Sequence, residues 1–462
     1  MTPHPYETFR KHLQNDGLFV DGKEDYWRIG CRPFVLSSQQ VKFLEDLGQH
    51  LLAFYASINR LYIDSLKGIQ PQWVHKYFDI GKPDDLLEFA RMNRFKNHLP
   101  GVIRPDLIPT DSGMALTELD SVPGGMGLTG SLSRMYARQG MPVWPSSDGL
   151  IKNFSRMLKG MLKNQALTMA IVVSDEADAY RAEMQWMTTQ LAQDGWEVYC
   201  SHPRDIRFTE EGLFVEQRGK EHPISLIYRF FELFDLKNIP KGELILYSAK
   251  KGRVVVTPPY KPWMEEKLAL ALIHHPMLES FWKKALSSET LGCLQATIPQ
   301  TWILDPQPLP PTAVIPGLRH RNHAVSNWDW LSDASQKERQ YVIKVSGFSE
   351  LAWGSRGVSI GHDMSQQEWK NTLSQSLDSF QATPSILQTF HKGKLVVVEY
   401  YEGVTGSEVS MEGRVRLSPY YFVVDGQAEL GGVLATICPK DKKIIHGMRD
   451  SVMTPCAVNC AG

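Results

Sequence analysis

The sequence carries no charge surplus of either sign: 50 lysines and arginines meet 51 aspartates and glutamates over 462 residues, a net charge of −1. A general nucleic-acid binder needs a basic excess to displace counterions, so that class is excluded for the chain as a whole, though not a local basic groove. Cysteine is scarce too. Six cysteines, mostly far apart, make no disulfide framework in a chain of this size, which reads as reduced and cytoplasmic. The one close pair, Cys456 and Cys460, falls in what reads as a C-terminal tail, and two ligands do not make a zinc site. Long apolar runs are also missing. Leu395–Val398 and Leu268–Ile273 fall far short of the roughly 18 residues a membrane span requires, and the N-terminus has no apolar segment after a basic start. There is no internal repeat, no GxGxxG after a strand and no GxxxxGK[ST] loop.

What is present is an ordinary globular composition, 42% apolar and 22% charged, long enough for about three domains. Apolar residues at three- and four-residue spacing from Gln39 to Leu66 predict a helix, with a shorter one from Asp84 to Phe95. Val102–Ile108 and Met114–Asp120 flank a Thr-Asp-Ser-Gly turn and predict a β-hairpin, followed by a Gly-rich loop, Pro123–Gly130. Residues 165–235 alternate strand, helix and strand, which predicts parallel pairing. A proline-rich connector spans Asp305–Pro316. The strands Tyr341–Val345, Ser385–Phe390, Lys394–Tyr401 and Arg414–Val424 follow, with a helix from Gln366 to about Phe380.

Two segments carry chemistry. Residues two apart on a strand share a face, so Arg104 and Asp106 point together, as do Glu118 and Asp120. If the hairpin closes, three carboxylates and an arginine converge. A hard divalent cation such as Mg²⁺ would neutralise the carboxylates and the arginine would face phosphate; a solvated, charge-alternating hairpin has the same spacing. Pro105 suits only an edge or a bulge. In the second segment Lys344 leaves an apolar strand ahead of Gly347 and of the run Trp353-Gly-Ser-Arg-Gly357, where a lysine and open backbone amides reach an anion. Tyr228-Arg229 at a strand end, the Trp328-Asp-Trp330 loop, His274-His275 and the basic Arg319–His323 loop are weaker candidates, each with a plain core or surface reading.

In their order along the chain these segments resemble the circularly permuted ATP-grasp family, which includes the synthetase domain of glutathionylspermidine synthetase. The family's R-x-D … E-x-N magnesium motif corresponds to Arg104-Pro-Asp106 and Glu118-Leu-Asp120, with Asp in place of Asn. Val254–Pro259 leading to Lys267, Ile298–Leu304, Tyr341–Lys344 with Gly354-Ser355-Arg356-Gly357, Ile386–Gln388 and Arg414–Val424 resemble its later marks. The resemblance implies an α+β and α/β ATP-grasp fold with a small pre-ATP-grasp-like domain. Its parts would be a helical region at 1–95, the metal hairpin and Gly-rich loop at 96–150, and the small α/β domain at 165–260. A lobe with the proline connector would follow at 261–340, then a nucleotide-binding lobe at 341–455 and a tail at 456–462.

The activity implied is an ADP-forming carboxylate–amine ligase with ATP and Mg²⁺, acting through an acyl phosphate on small-molecule or peptide carboxylate and amine substrates, with no nucleic acid or membrane partner. The metal ligands implied are Asp106, Glu118 and Asp120, and the catalytic residue is Arg104. The nucleotide residues are Lys267, Lys344, Gly354, Ser355, Gly357 and Gln388. One departure stands out. The family commonly has an arginine shortly after the glycines of its last strand, whereas Gly431-Gly432 is followed by Val-Leu-Ala-Thr436. Arg414, Arg416, Arg356 and Arg449 are the candidate replacements; without one, the chain would be a catalytically degenerate ATP-binding module.

Overall fold

The computed structural model describes residues 5–19, 27–162, 165–354, 356–403, 405–447 and 450–459. The chain divides into two units, one of residues 1–52, 100–259 and 392–462, the other of 53–99 and 260–391. The first division falls inside the long helix Ser38–Leu66, whose apolar spacing the sequence displays.

Among its described residues the first unit has an eight-stranded sheet with the path Arg28–Ile29, Val452–Val458, Gln427–Pro439, Glu408–Val424, Val102–Thr110, Gly113–Asp120. The hairpin expected from the turn signal forms, pairing Thr110 with Gly113. Pro105 lies in an interior strand, where its missing amide needs an excuse. A register shift between Asp106 and Leu107 supplies a bulge beside it. On the other side, no pairing falls at Pro105 between Leu417–Leu107 and Tyr421–Ile103.

Val255–Thr257, Leu226–Phe230, Thr168–Val173 and Glu197–Ser201 form a fully parallel sheet in that order, as alternating strand and helix demand. Leu213–Gln217 does not join it. That strand pairs in antiparallel fashion with its sequence neighbours Ile206–Phe208 and Lys220–Ile224, through short turns that leave no room for a crossover.

Two expectations need correction. Cys456 is not in a tail: it lies within the strand Val452–Val458, fully buried, and burial pushes its thiol far above the ordinary value. Cys460 lies outside the described residues. Nor is Pro123–Gly130 a loop throughout, because the helix Met126–Arg138 begins inside it. The helical glycines are there for contact. A Cβ on Gly127 would lie 2.6 Å from the Glu183 carbonyl oxygen, and one on Gly130 would lie 2.7 Å from the Trp186 ring. The helix therefore seats directly on Arg181–Gln193, the helix of the parallel sheet.

The second unit has, among its described residues, a four-stranded antiparallel sheet in the order Thr301–Ile303, Ser385–Thr389, Tyr341–Val345, Val358–Ile360. Trp302, Leu387 and Ile343 are cross-strand neighbours on one face, and they pack with Trp369 and Leu373 of the helix Gln366–Asp378.

Gly127→Ala should destabilise the protein by about 1–3 kcal/mol, since the clash is with backbone that has no rotamer to change. Urea unfolding checks this, and a variant as stable as the parent would contradict the packing described.

Candidate functional site

In the first unit the hairpin register sets Arg104 opposite Asp120 and Asp106 opposite Glu118. Arg104 Nη2 lies 2.8 Å from Asp120 Oδ2, and its Nη1 is 3.5 Å from Asp106 Oδ1. Two residues on the neighbouring strand complete the group. Arg416 Nη1 is 3.0 Å from Asp106 Oδ2, and the Ser418 hydroxyl donates to Asp106 Oδ1 at 2.9 Å. Asp106 is 4% exposed at its side chain and so sits in a nearly dry, doubly paired position. Burial works against the Arg104 charge, but the carboxylates of Asp106 and Asp120 more than restore it, so its pKa rises. Burial raises the pKa of Asp120, and Arg104 with the Val122 amide partly offsets it.

Buried donors in this neighbourhood without a hydrogen-bond partner include Nε of Arg104, Nε of Arg416, the Tyr228 hydroxyl and the Thr436 hydroxyl. Thr436 is the cross-strand partner of Arg416, and Tyr228 is close enough to Asp120 to feel its charge. Buried polar groups are nearly always satisfied, so open donors clustered around two guanidiniums suit an anionic group.

Of the candidate replacement arginines, Arg416 is the one at this centre. Arg414 donates to the carbonyls of Gly393 and Lys440, Arg356 lies over the Trp353 ring, and Arg449 is outside the described residues. Arg229, adjacent to Tyr228, is fully buried and donates to the carbonyls of Phe231, Pro258 and Pro259.

Sequence reasoning missed Glu183. Its carboxylate accepts from the Leu128 amide at 3.0 Å, capping the helix that follows the hairpin. Burial pushes its pKa up to about 7, against the Leu128, Gly127 and Gly125 amides and the Arg104 charge, which pull it down. Nothing in the local sequence marks it, because cap and helix come from separate segments. Ser418 had a signal: it is two residues from Arg416 on a strand and therefore on the same face.

Carboxylates suit Mg²⁺ chemically. Yet each oxygen of Asp106 and Asp120 is already engaged by a guanidinium, a hydroxyl or an amide. Among the described residues no three or more His, Cys, Asp or Glu side chains are grouped to hold a metal ion. Arginines balance the charge here, and this arrangement does not fit a bound cation.

In the second unit the polar face of the sheet carries a chain of contacts. Lys344 Nζ donates to Gln388 Oε1 at 2.9 Å, and Gln388 Nε2 donates to the Thr301 hydroxyl at 3.1 Å. Both Lys344 and Gln388 are buried. Lys267 stands just before the short helix Leu268–Leu272, with its Nζ donating to the Ala352 carbonyl at 2.8 Å. In the following loop Gly354 has φ +62°, and a Cβ on Gly357 would lie 2.5 Å from the Leu351 carbonyl oxygen, so both positions need glycine. Ser355 lies outside the described residues.

His274 Nε2 lies 2.9 Å from the Ile298 carbonyl oxygen, and the His275 ring lies 4.7 Å from that of Trp73, tilted by 45°. Arg321 of the basic loop pairs with Glu338. Trp328 does line a cavity, of about 1200 Å³, together with Trp73, Tyr77 and Trp302.

The fold has a counterpart among solved structures. It is similar to a glutathione synthetase-like effector from Globodera pallida in its apo form, with a TM-score of 0.59 and 13% identity over 98% of this chain and 96% of that one. A chain from Methylobacillus flagellatus provisionally named gamma-glutamylcysteine synthetase is similar at a TM-score of 0.43 and 10% identity, over 82% of this chain and 85% of that one, too distant to carry an argument. No family model and no curated protein matches the sequence.

The buried Glu183 makes a pH prediction. With its folded pKa about 7, above the ordinary 4.5, the folded state holds the proton more tightly. Its contribution to stability is therefore greatest below the unfolded value and declines as pH rises through this window. Glu183→Gln should flatten that decline in thermal midpoints; an unchanged slope would show that the carboxylate does not titrate there.

Proposed function

We propose that the chain is an ATP-dependent, ADP-forming carboxylate–amine ligase. The observation that carries this is the centre of Arg104, Arg416, Asp106 and Asp120, with buried N–H and O–H donors left open for an anion. The fold likeness and the polar face of Lys344 and Gln388 beside a glycine-bearing loop support the same reading.

On this proposal a substrate carboxylate oxygen attacks the γ-phosphorus of ATP, the bond to the β-phosphate oxygen breaks, and an acyl phosphate and ADP form. An amine nitrogen then attacks the acyl carbon, loses a proton, and releases inorganic phosphate as the amide forms. Such transfers need little covalent help from the protein, which contributes position and charge. Arg104 and Arg416 stabilise charge developing on the transferring group. Lys267 and Lys344 neutralise nucleotide phosphates, Gln388 addresses the base, and the loop containing Gly354, Ser355 and Gly357 covers the phosphates. ATP enters as its magnesium complex. This arrangement does not favour Asp106, Glu118 and Asp120 as ligands of that ion, because arginines already pair with Asp106 and Asp120. Amino acids, peptides and polyamine-like amines are the proposed substrate class.

A second reading, a nucleotide-binding module without turnover, is favoured by one observation: arginines already occupy the carboxylates that the ligase would offer to the cation. ADP release from Mg-ATP, measured with panels of acids and amines, separates the two. The ligase reading expects acceptor-dependent ADP, reduced about 10²–10³-fold by Arg104→Ala, the loss typical of removing a donor to developing negative charge. ATP binding with no ADP from any acceptor pair would leave the module reading instead.

A further inference from the structure

The second unit contains a fully buried ion pair that the proposed reaction does not use. Lys82 and Glu266 are each 1% exposed at the side chain. Glu266 Oε1 accepts from Lys82 Nζ, and its other oxygen, Oε2, accepts from the Ser346 hydroxyl. Each of these residues is tied onward. The Leu268 amide donates to Ser346 Oγ at 2.9 Å, and the Lys267 amide donates to the Ser346 carbonyl at 3.2 Å. Lys82 Nζ also donates to the Ile80 carbonyl at 3.2 Å and lies 5.5 Å from the centre of the Phe348 ring.

The position of this network in the chain gives it meaning. Glu266 immediately precedes Lys267, and Ser346 follows Lys344 by two residues. A single carboxylate therefore joins the segments carrying both lysines assigned to phosphates. Packing at the junction is too close for any side chain on Gly347, where a Cβ would lie 2.8 Å from the Glu266 carboxyl carbon. The next residue, Phe348, is held at φ +49°, a left-handed conformation that a bulky side chain adopts only when its surroundings impose it. Well-packed apolar side chains commonly replace a buried ion pair without loss of stability. What the charged pair adds is direction: two oxygens at fixed angles, each engaged by a different segment.

Resting on the nucleotide assignment of Lys267 and Lys344, we propose that Glu266, held by Lys82, is a positioning residue for nucleotide phosphates. It fixes the start of the Lys267 helix against the turn that follows Lys344. Glu266 touches no nucleotide itself. It sets where two ammonium groups stand.

The test is ATP affinity of the full chain, read with a fluorescent trinitrophenyl-ATP and by displacement with ATP, alongside thermal midpoints. The double variant Lys82→Met/Glu266→Met removes both charges and should melt near the parent temperature, yet bind ATP about tenfold or more weakly, since small misplacements of positioning groups cost that much or more. Ser346→Ala deletes one hydroxyl and should weaken ATP in the same direction without unfolding. It carries the test if the double variant does not fold. Parent-like ATP affinity in Ser346→Ala, or in a folded double variant, while Lys267→Ala weakens binding, would overturn the positioning role and leave the nucleotide reading standing. No ATP binding by the parent chain would overturn both.

Discussion

A carboxylate buried in the largest sheet governs the first unit. Asp106 occupies an interior strand with almost no solvent, where an unpaired charge would be severely unfavourable. Arg416 and Ser418 from the next strand and Arg104 from its own strand resolve the problem. Those partners hold the strand Glu408–Val424 against the hairpin at one register. The bulge after Asp106 and the proline before it sit within that arrangement. Removing Arg416 would leave the buried Asp106 charge short of one partner, and the same arginine, with its Nε open, is placed to meet an anion.

The second unit follows the same physical rule by a different route. Its antiparallel sheet is apolar on one face, with Trp302, Leu387 and Ile343, and polar on the other, with Thr301, Gln388 and Lys344. Period-two alternation makes this two-sidedness automatic. The polar face is buried, so every donor there needs a named acceptor. In both units the side chains with chemical potential are therefore held by hydrogen bonds before any ligand arrives, which is the condition for electrostatic stabilisation without reorganisation.

Local features were legible in the sequence. The hairpin, the long helix and the parallel strands follow from turn chemistry and periodicity, and the shared face of Arg104 and Asp106 follows from strand geometry. Long-range features were not. Arg416 was one of four candidate arginines, and only the pairing of Glu408–Val424 with Val102–Thr110 singles it out. Glu183 caps a helix 55 residues away in sequence, a relation no window of sequence contains. The glycines at 127 and 130 read as loop formers because composition cannot distinguish conformational freedom from close packing. Neither could it show that arginines would claim the oxygens a cation was expected to take. Strand Val452–Val458 was hidden by its position near the end of the chain, where polar neighbours mask a short buried run.

If the chain is the ligase proposed, a carboxylate, and not water, accepts the γ-phosphoryl group. Isotope transfer tests it most directly. Amino-acid and peptide substrates labelled with ¹⁸O in their carboxyl groups are incubated with Mg-ATP, an amine panel and the full chain, and the released phosphate is analysed by mass spectrometry. Passage through an acyl phosphate predicts one ¹⁸O in each phosphate formed. Phosphate released without label would mean that ATP is hydrolysed by water, and would contradict the account.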